Sequence, residues 1–223
     1  MVELIPDLRA DTVRANLDEV REEIAAAAKA AERDPGEVEV LAATKYVSAE
    51  DLPTLAEAGI ELVGENRAQD LAAKIAAHGE LFDWDFIGRL QSRKVKAIVP
   101  HVRLIHSVAS DSVLRELARH QADAHPDLEI LIEVNVASEP GKEGVAPEEL
   151  DAFIERAPFP VVGLMTMPPY AQNPEDSRRW FSALRTLADD RGLQRLSMGT
   201  SQDYRVAVAE GATIVRIGTR LYS

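Results

Sequence analysis

The stretch Val38-Glu39-Val40-Leu41-Ala42-Ala43-Thr44-Lys45 decides how the rest of the chain is read. It is mostly apolar and ends on an amine. Tyr46-Val47 follow, and then Ser48-Ala49-Glu50-Asp51, which has the form of a helix start with acids in its first turn. A near-continuous apolar run is the mark of a strand buried on both faces, as in parallel sheets covered by helices. The lysine where the strand stops either snorkels into water or is placed for chemistry.

Upstream of this strand, residues 7–32 are expected to form one long helix. Leu8, Val13, Leu17, Val20 and Ile24 make an apolar stripe, Ala25 to Ala28 favour the helix, and Asp34-Pro35-Gly36 ends it. Downstream, strand-like and helix-like runs alternate to the end. Strands are expected at 38–44, 61–65, 84–88, 103–107, 129–136, 161–167, 195–198 and 213–217. Helices are expected at 49–58, 66–78, 91–99, 111–123, 147–156, 174–190 and 202–210. Strands separated by helices pair in parallel through right-handed crossovers. About eight such units over roughly 200 residues describe a (β/α)8 TIM-type barrel with an extra N-terminal helix. A doubly wound open sheet is the alternative, because it shows the same alternation. No internal repeat, low-complexity linker or break in composition divides the chain, so residues 1–223 are expected to form a single domain.

Bulk composition narrows the function. With 223 residues, 46% of them apolar, the chain can build one sizeable core. The absence of cysteine excludes a disulfide scaffold, Cys-ligated zinc and a thiol nucleophile, and fits a cytoplasmic setting. Met1 to Arg14 carries charges without an apolar core, so no signal peptide is expected. No apolar run approaches the roughly 18 residues of a membrane span. A net charge of −13 repels phosphate backbones and argues against general nucleic-acid binding, with Arg89 to Lys96 the one local basic stretch. His101 and His106 do not have metal-ligand spacing, and no His-Glu-x-x-His occurs.

In a barrel, chemistry sits at the C-terminal ends of the strands. The residues there are Lys45, Glu65-Asn66-Arg67, Gly88-Arg89, Ser107, Asn135, Met165-Thr166, Gly199-Thr200-Ser201, and Arg216 with Gly218-Thr219. Of the six lysines only Lys45 ends a buried strand; in a partly apolar site its amine would be neutral more often and able to condense with an aldehyde. Ser197-Met198-Gly199-Thr200-Ser201-Gln202-Asp203 either caps a helix or offers backbone N–H groups and the Thr200 and Ser201 hydroxyls to a phosphate. In Val215-Arg216-Ile217-Gly218-Thr219, the arginine needs a structural carboxylate or a ligand acceptor, and Gly218 and Thr219 add donors where barrels commonly hold phosphate. Barrel closure would bring strand eight beside strand one. An amine for an aldehyde next to a phosphate cup describes pyridoxal 5′-phosphate (PLP).

From about residue 7 to 223 the chain resembles the pyridoxal-phosphate homeostasis proteins, the alanine racemase N-terminal-domain-like group. The resemblance rests on eight motifs in order: Leu41-Ala42-Ala43-Thr44-Lys45, Gly64-Glu65-Asn66, Phe86-Ile87-Gly88-Arg89-Leu90-Gln91-Ser92, Ile105-His106-Ser107, Glu133-Val134-Asn135-Val136, Gly163-Leu164-Met165-Thr166-Met167, Leu196-Ser197-Met198-Gly199-Thr200-Ser201, and Val215-Arg216-Ile217-Gly218-Thr219. It implies a single barrel with PLP held as an internal aldimine on Lys45. Ser201, Gly218 and Thr219 would hold the phosphate, Arg216 would face the pyridine nitrogen, and Asn66 and Met165 would line the cofactor. Family members often carry His where Asp85 stands, Asn where Arg93 stands, and Lys-Pro where Val47-Ser48 stand. The first two departures fall in 85–93, a stretch expected to bear on any partner or transfer surface.

An arginine at the ring nitrogen keeps that nitrogen unprotonated and weakens the ring as an electron sink. Racemisation also needs an acid–base group on each face of the reacting carbon. In the resembling racemases one is a tyrosine from a second domain, for which this chain, ending at Ser223, leaves no room, and none of Tyr46, Tyr170, Tyr204 and Tyr222 has a spacing that marks a base. The expected role is therefore intracellular vitamin B6 homeostasis, with PLP held and passed to apo-enzymes by a monomer. A weak amino-acid racemase is the alternative.

Overall fold

A computed structural model describes residues 4–223; the first three residues of the expected domain and of the leader reading lie outside the described residues. Eight parallel strands close into a barrel in sequence order. They are β1 (Glu39–Ala43), β2 (Leu62–Glu65), β3 (Asp83–Phe86), β4 (Leu104–Val108), β5 (Glu129–Glu133), β6 (Val161–Met165), β7 (Arg195–Thr200) and β8 (Ile214–Ile217). The pairing of β8 with β1, Glu39 opposite Ile214 through Ala42 opposite Ile217, closes the barrel and removes the open-sheet alternative.

Alternation along each strand sorts the side chains. Leu41, Leu62, Leu104, Leu131, Met165 and Ile214 form a separate inner cluster that fills the barrel. Their strand neighbours, such as Ala42, Val63, Ile105 and Val215, join the larger outer core beneath the helices. The helices are α1 (Ala10–Ala30), α2 (Leu52–Glu57), α3 (Ala68–His78), α4 (Asp111–Arg119), α5 (Leu150–Glu155), α6 (Arg178–Asp189), α7 (Tyr204–Ala209) and α8 (Thr219–Tyr222).

The expected leading helix is real but shorter at both ends. Asp7 has φ of 53° and Arg9 is extended, so helical geometry starts only at Ala10. At the other end Glu32 takes a left-handed φ of 56°, and the Glu32 and Arg33 N–H groups return to the Lys29 and Ala28 carbonyls, a closed helix end without glycine. Val13, Leu17, Val20, Ile24 and Ala28 are its buried stripe. The helix expected at 91–99 is instead a 3-10 helix over Ser92–Ala97. Val95 and Ile98, three apart and both buried, fit its three-residue turn. The short α8 was not expected; it buries Leu221 and Tyr222.

Candidate functional site

Residues at the C-terminal ends of the strands open onto one cleft of about 550 Å³, and Lys45, Asn66, Met165, Ser201, Arg216, Gly218 and Thr219 all line it. A second cleft of about 450 Å³ lies at the opposite end of the barrel, between α1 and the strand starts, and contains none of these residues.

Lys45 lies two residues beyond the end of β1. It is exposed, with its Nζ over the Tyr46 ring at 4.7 Å from the centroid. Its setting is an aromatic face in a cleft that Ala43, Ile87, Met165 and Met167 also line, and solvent reaches it. The buried amine is Lys74, on α3, 5% exposed. Lys74 Nζ donates to a Glu65 carboxylate oxygen at 2.5 Å and to the Thr44 carbonyl at 2.7 Å. Glu65 also accepts from the Thr44 hydroxyl at 3.2 Å and from the Asn66 N–H at 2.6 Å. A buried ion pair thus ties together the ends of the neighbouring strands β1 and β2, just before Lys45 and at Asn66. Sequence spacing placed Lys74 on a helix and missed this partnership.

Asn66 leaves its Oδ1 buried with no partner. Its carbonyl passes so close to Gly88 that a Cβ there would sit 1.9 Å from the oxygen, so only glycine fits. Ser107 donates its hydroxyl to the Gly88 carbonyl. Across the cleft, Ser201 Oγ receives the Gly218 N–H at 3.0 Å and faces the Arg220 N–H at 3.5 Å. Two backbone donors and a hydroxyl therefore converge. Thr200 does not share in this cup: its N–H and hydroxyl both go to Asp203 Oδ1, at 2.8 and 3.2 Å. Gly199 takes a left-handed φ of 89° within the register shift between Ser197 and Thr200 of β7.

Arg216 is 6% exposed. Its Nη1 donates to Ser197 Oγ at 2.5 Å, and its Nη2 donates to the Thr166 carbonyl at 3.1 Å and approaches the Met167 sulfur at 2.8 Å. Burial pushes the guanidinium down to about 10, against the pull of Glu133 and Asp203, so it is charged at neutral pH. Glu133, at the end of β5, also lines the cleft. Burial and Glu143 raise its carboxyl above the usual range, with Arg216 opposing. Strand alternation from Leu131 could have found Glu133. The expected strand-end residue, Asn135, instead braces its own loop by exchanging hydrogen bonds with the Glu139 backbone at 3.0 and 3.1 Å. Arg89 and Glu143 pair across the mouth.

The two departures in 85–93 separate. Asp85 is wholly buried inside the barrel, so it forms no partner surface. Arg93 is exposed and donates to Gln91 at 3.0 Å. Among the described residues, no three His, Asp or Glu side chains gather as metal ligands, and no helix is long and apolar enough to cross a membrane.

Residues 9–223 match the family model for alanine racemase, N-terminal domain. A pyridoxal phosphate homeostasis protein of Aquifex aeolicus is 41% identical over 217 residues, covering 92% of this chain and 95% of the relative. A solved protein of unknown function from Bifidobacterium adolescentis superposes with a TM-score of 0.88 at 31% identity, covering 99% and 98% of the two chains. PipY of Synechococcus elongatus PCC7942, solved with PLP bound, gives 0.80 at 28% identity, covering 95% and 100%.

Proposed function

The chain belongs to the alanine racemase N-terminal-domain family and, within it, to the pyridoxal phosphate homeostasis proteins, and from that premise we propose that it binds PLP at Lys45 and serves vitamin B6 homeostasis without efficient catalysis. The observation that carries this reading is the convergence of Lys45, the Ser201–Gly218 donor cup and Arg216 on one cleft. The residues present fit the cofactor. Backbone N–H groups and a hydroxyl suit a phosphate dianion, the buried Asn66 Oδ1 lacks a partner, and an amine stands free at the mouth.

In this reading Ser201, Gly218 and Thr219 would hold the phosphate, Asn66 and Met165 would line the ring, and Arg216 would serve the ring nitrogen. Bound PLP supplies an aldehyde to the lysine and, toward amino acids, an electron-withdrawing ring. Arg216 gives up no proton near neutral pH, so it leaves the ring nitrogen unprotonated. The placement of the tyrosines supports holding over turnover. Tyr204 donates its hydroxyl to Glu23, Tyr222 is buried, and Tyr170 is 82% exposed, which leaves Tyr46 as the one tyrosine lining the cleft. Lys45 Nζ lies over the Tyr46 ring, so these two groups stand together and not on opposite faces of a reacting carbon, as inversion needs. In this reading the protein acts as a monomer that holds PLP for apo-enzymes in the cytoplasm.

Borohydride reduction of the protein mixed with PLP, followed by peptide mass mapping, tests the assignment. Wild type is expected to trap one adduct, on Lys45, and Lys45→Ala to trap none. An adduct retained at one site in Lys45→Ala refutes the assignment. Alanine inversion at the ordinary enzymatic rate of about 1–10³ per second, followed by chiral chromatography, would sink the holding role.

A further inference from the structure

The barrel interior carries a continuous polar chain that the proposed cofactor role does not use. It starts at the end opposite the cleft. Glu39 accepts from Arg103 at 3.1 Å and from Arg195. Arg103 Nε donates to Asp85 Oδ1 at 3.0 Å. Asp85 Oδ2 lies 3.1 Å from His106 Nε2, and His106 Nδ1 lies 2.8 Å from Ser197 Oγ. Ser197 Oγ in turn receives Arg216 Nη1. Asp85, His106 and Ser197 are each 0% exposed.

Donor and acceptor capacities give this chain one direction. Arginine has no acceptor, so Ser197 Oγ accepts from Arg216. The serine proton must then go to its other partner, His106 Nδ1, which is therefore the acceptor nitrogen. His106 carries its proton on Nε2 and donates it to Asp85, whose carboxylate also accepts from Arg103. Every link is satisfied only with His106 neutral and in the Nε2–H tautomer. A second proton, on Nδ1, would leave the serine hydroxyl without an acceptor.

We propose that Asp85, His106 and Ser197 are positioning residues that fix the plane of the Arg216 guanidinium in the cleft through this one directed chain. Arg216 is anchored at both terminal nitrogens, and the Nη1 anchor is only as firm as the serine rotor that receives it. That rotor is locked by the histidine tautomer, and the tautomer by Asp85. The effect on a bound pyridine ring rests on the PLP reading above; the effect on Arg216 itself does not.

Asp85→Asn is the informative variant, since it is isosteric. With its Oδ1 still accepting from Arg103, its amide donates toward His106 Nε2, which forces the Nδ1–H tautomer and strips Ser197 of its acceptor. Long-range ¹H–¹⁵N spectra of the cofactor-free protein are expected to show the Nε2–H tautomer in wild type and Nδ1–H in Asp85→Asn. The Arg216 guanidinium signals are expected to be separately resolved in wild type and averaged in Asp85→Asn and Ser197→Ala. With PLP added, both variants are expected to bind about tenfold more weakly, with a displaced absorption maximum. Wild-type His106 in the Nδ1–H form overturns the proposal. So do Arg216 signals, or a PLP spectrum and affinity, that are unchanged in both variants. If wild type binds no PLP, the cofactor reading fails alone and the cofactor-free spectra decide the positioning role.

Discussion

Lys74 and Glu65 form an ion pair with almost no water around it, 6% and 0% exposed at their side chains. Two buried charges stabilise little as a pair, but removing one strands the other at a cost of about 3–5 kcal/mol. Lys74→Met, which keeps the apolar stem, is therefore expected to lower the urea-unfolding free energy by about that amount. Adding Glu65→Gln should restore part of it. An unchanged midpoint in Lys74→Met would mean that water reaches Glu65. The pair also holds the Thr44 carbonyl and the Asn66 N–H, so the same variant is expected to weaken capture at Lys45 in the borohydride assay.

At the scale of elements, two glycines separate strain from collision. Gly59, after α2, has φ of 88° and open space where a Cβ would stand. Gly88, after β3, faces the Asn66 carbonyl at 1.9 Å from such a Cβ. Gly59→Ala is expected to cost about 1–2 kcal/mol, the left-handed penalty alone. Gly88→Ala must push the β2 and β3 ends apart and is expected to cost about 3 kcal/mol or more, with loss of the cleft geometry. Thermal melts of the two variants check the order; equal shifts would show that the β3 end yields. The same scale explains the misread segment at 91–99. A helix-like composition predicts α-helix, but the segment is short and turns from β3 into β4 with Val95 and Ile98 buried.

For the whole molecule, the interior polar chain links pH to stability. Burial lowers the His106 proton affinity, Asp85 opposes, and Arg216 and Arg195 reinforce the lowering. These are the charged groups of β3, β8 and β7 that face it. The unfolded chain takes up a proton near pH ~6.5 that native His106 refuses. Stability from this group is therefore complete above about pH 6.5 and is lost as pH falls below it toward the lowered native value, by up to about 1.4 kcal/mol per pH unit. Urea unfolding at pH 5, 6 and 7 should show this slope in wild type and a reduced slope in His106→Gln. Equal slopes would mean that His106 protonates in the native state.

Much of this was written locally. Apolar runs such as Val38 to Thr44, each followed by a helical period, determined an alternating α/β chain. The polar and glycine residues closing those runs marked the lysine, the arginine and the Ser201–Gly218 cup. Such signals survive in one dimension because strand and helix periods and turn chemistry depend on neighbours a few residues away. Closure did not survive there: it depends on β8 meeting β1, 175 residues apart where Glu39 faces Ile214. Nor did the solvent exposure of Lys45, the burial of Lys74 against Glu65, or the inward turn of Asp85 toward Arg103 and His106. Burial and charge pairing are set by which strands become neighbours and which way each side chain faces around the barrel, and only the tertiary structure decides that.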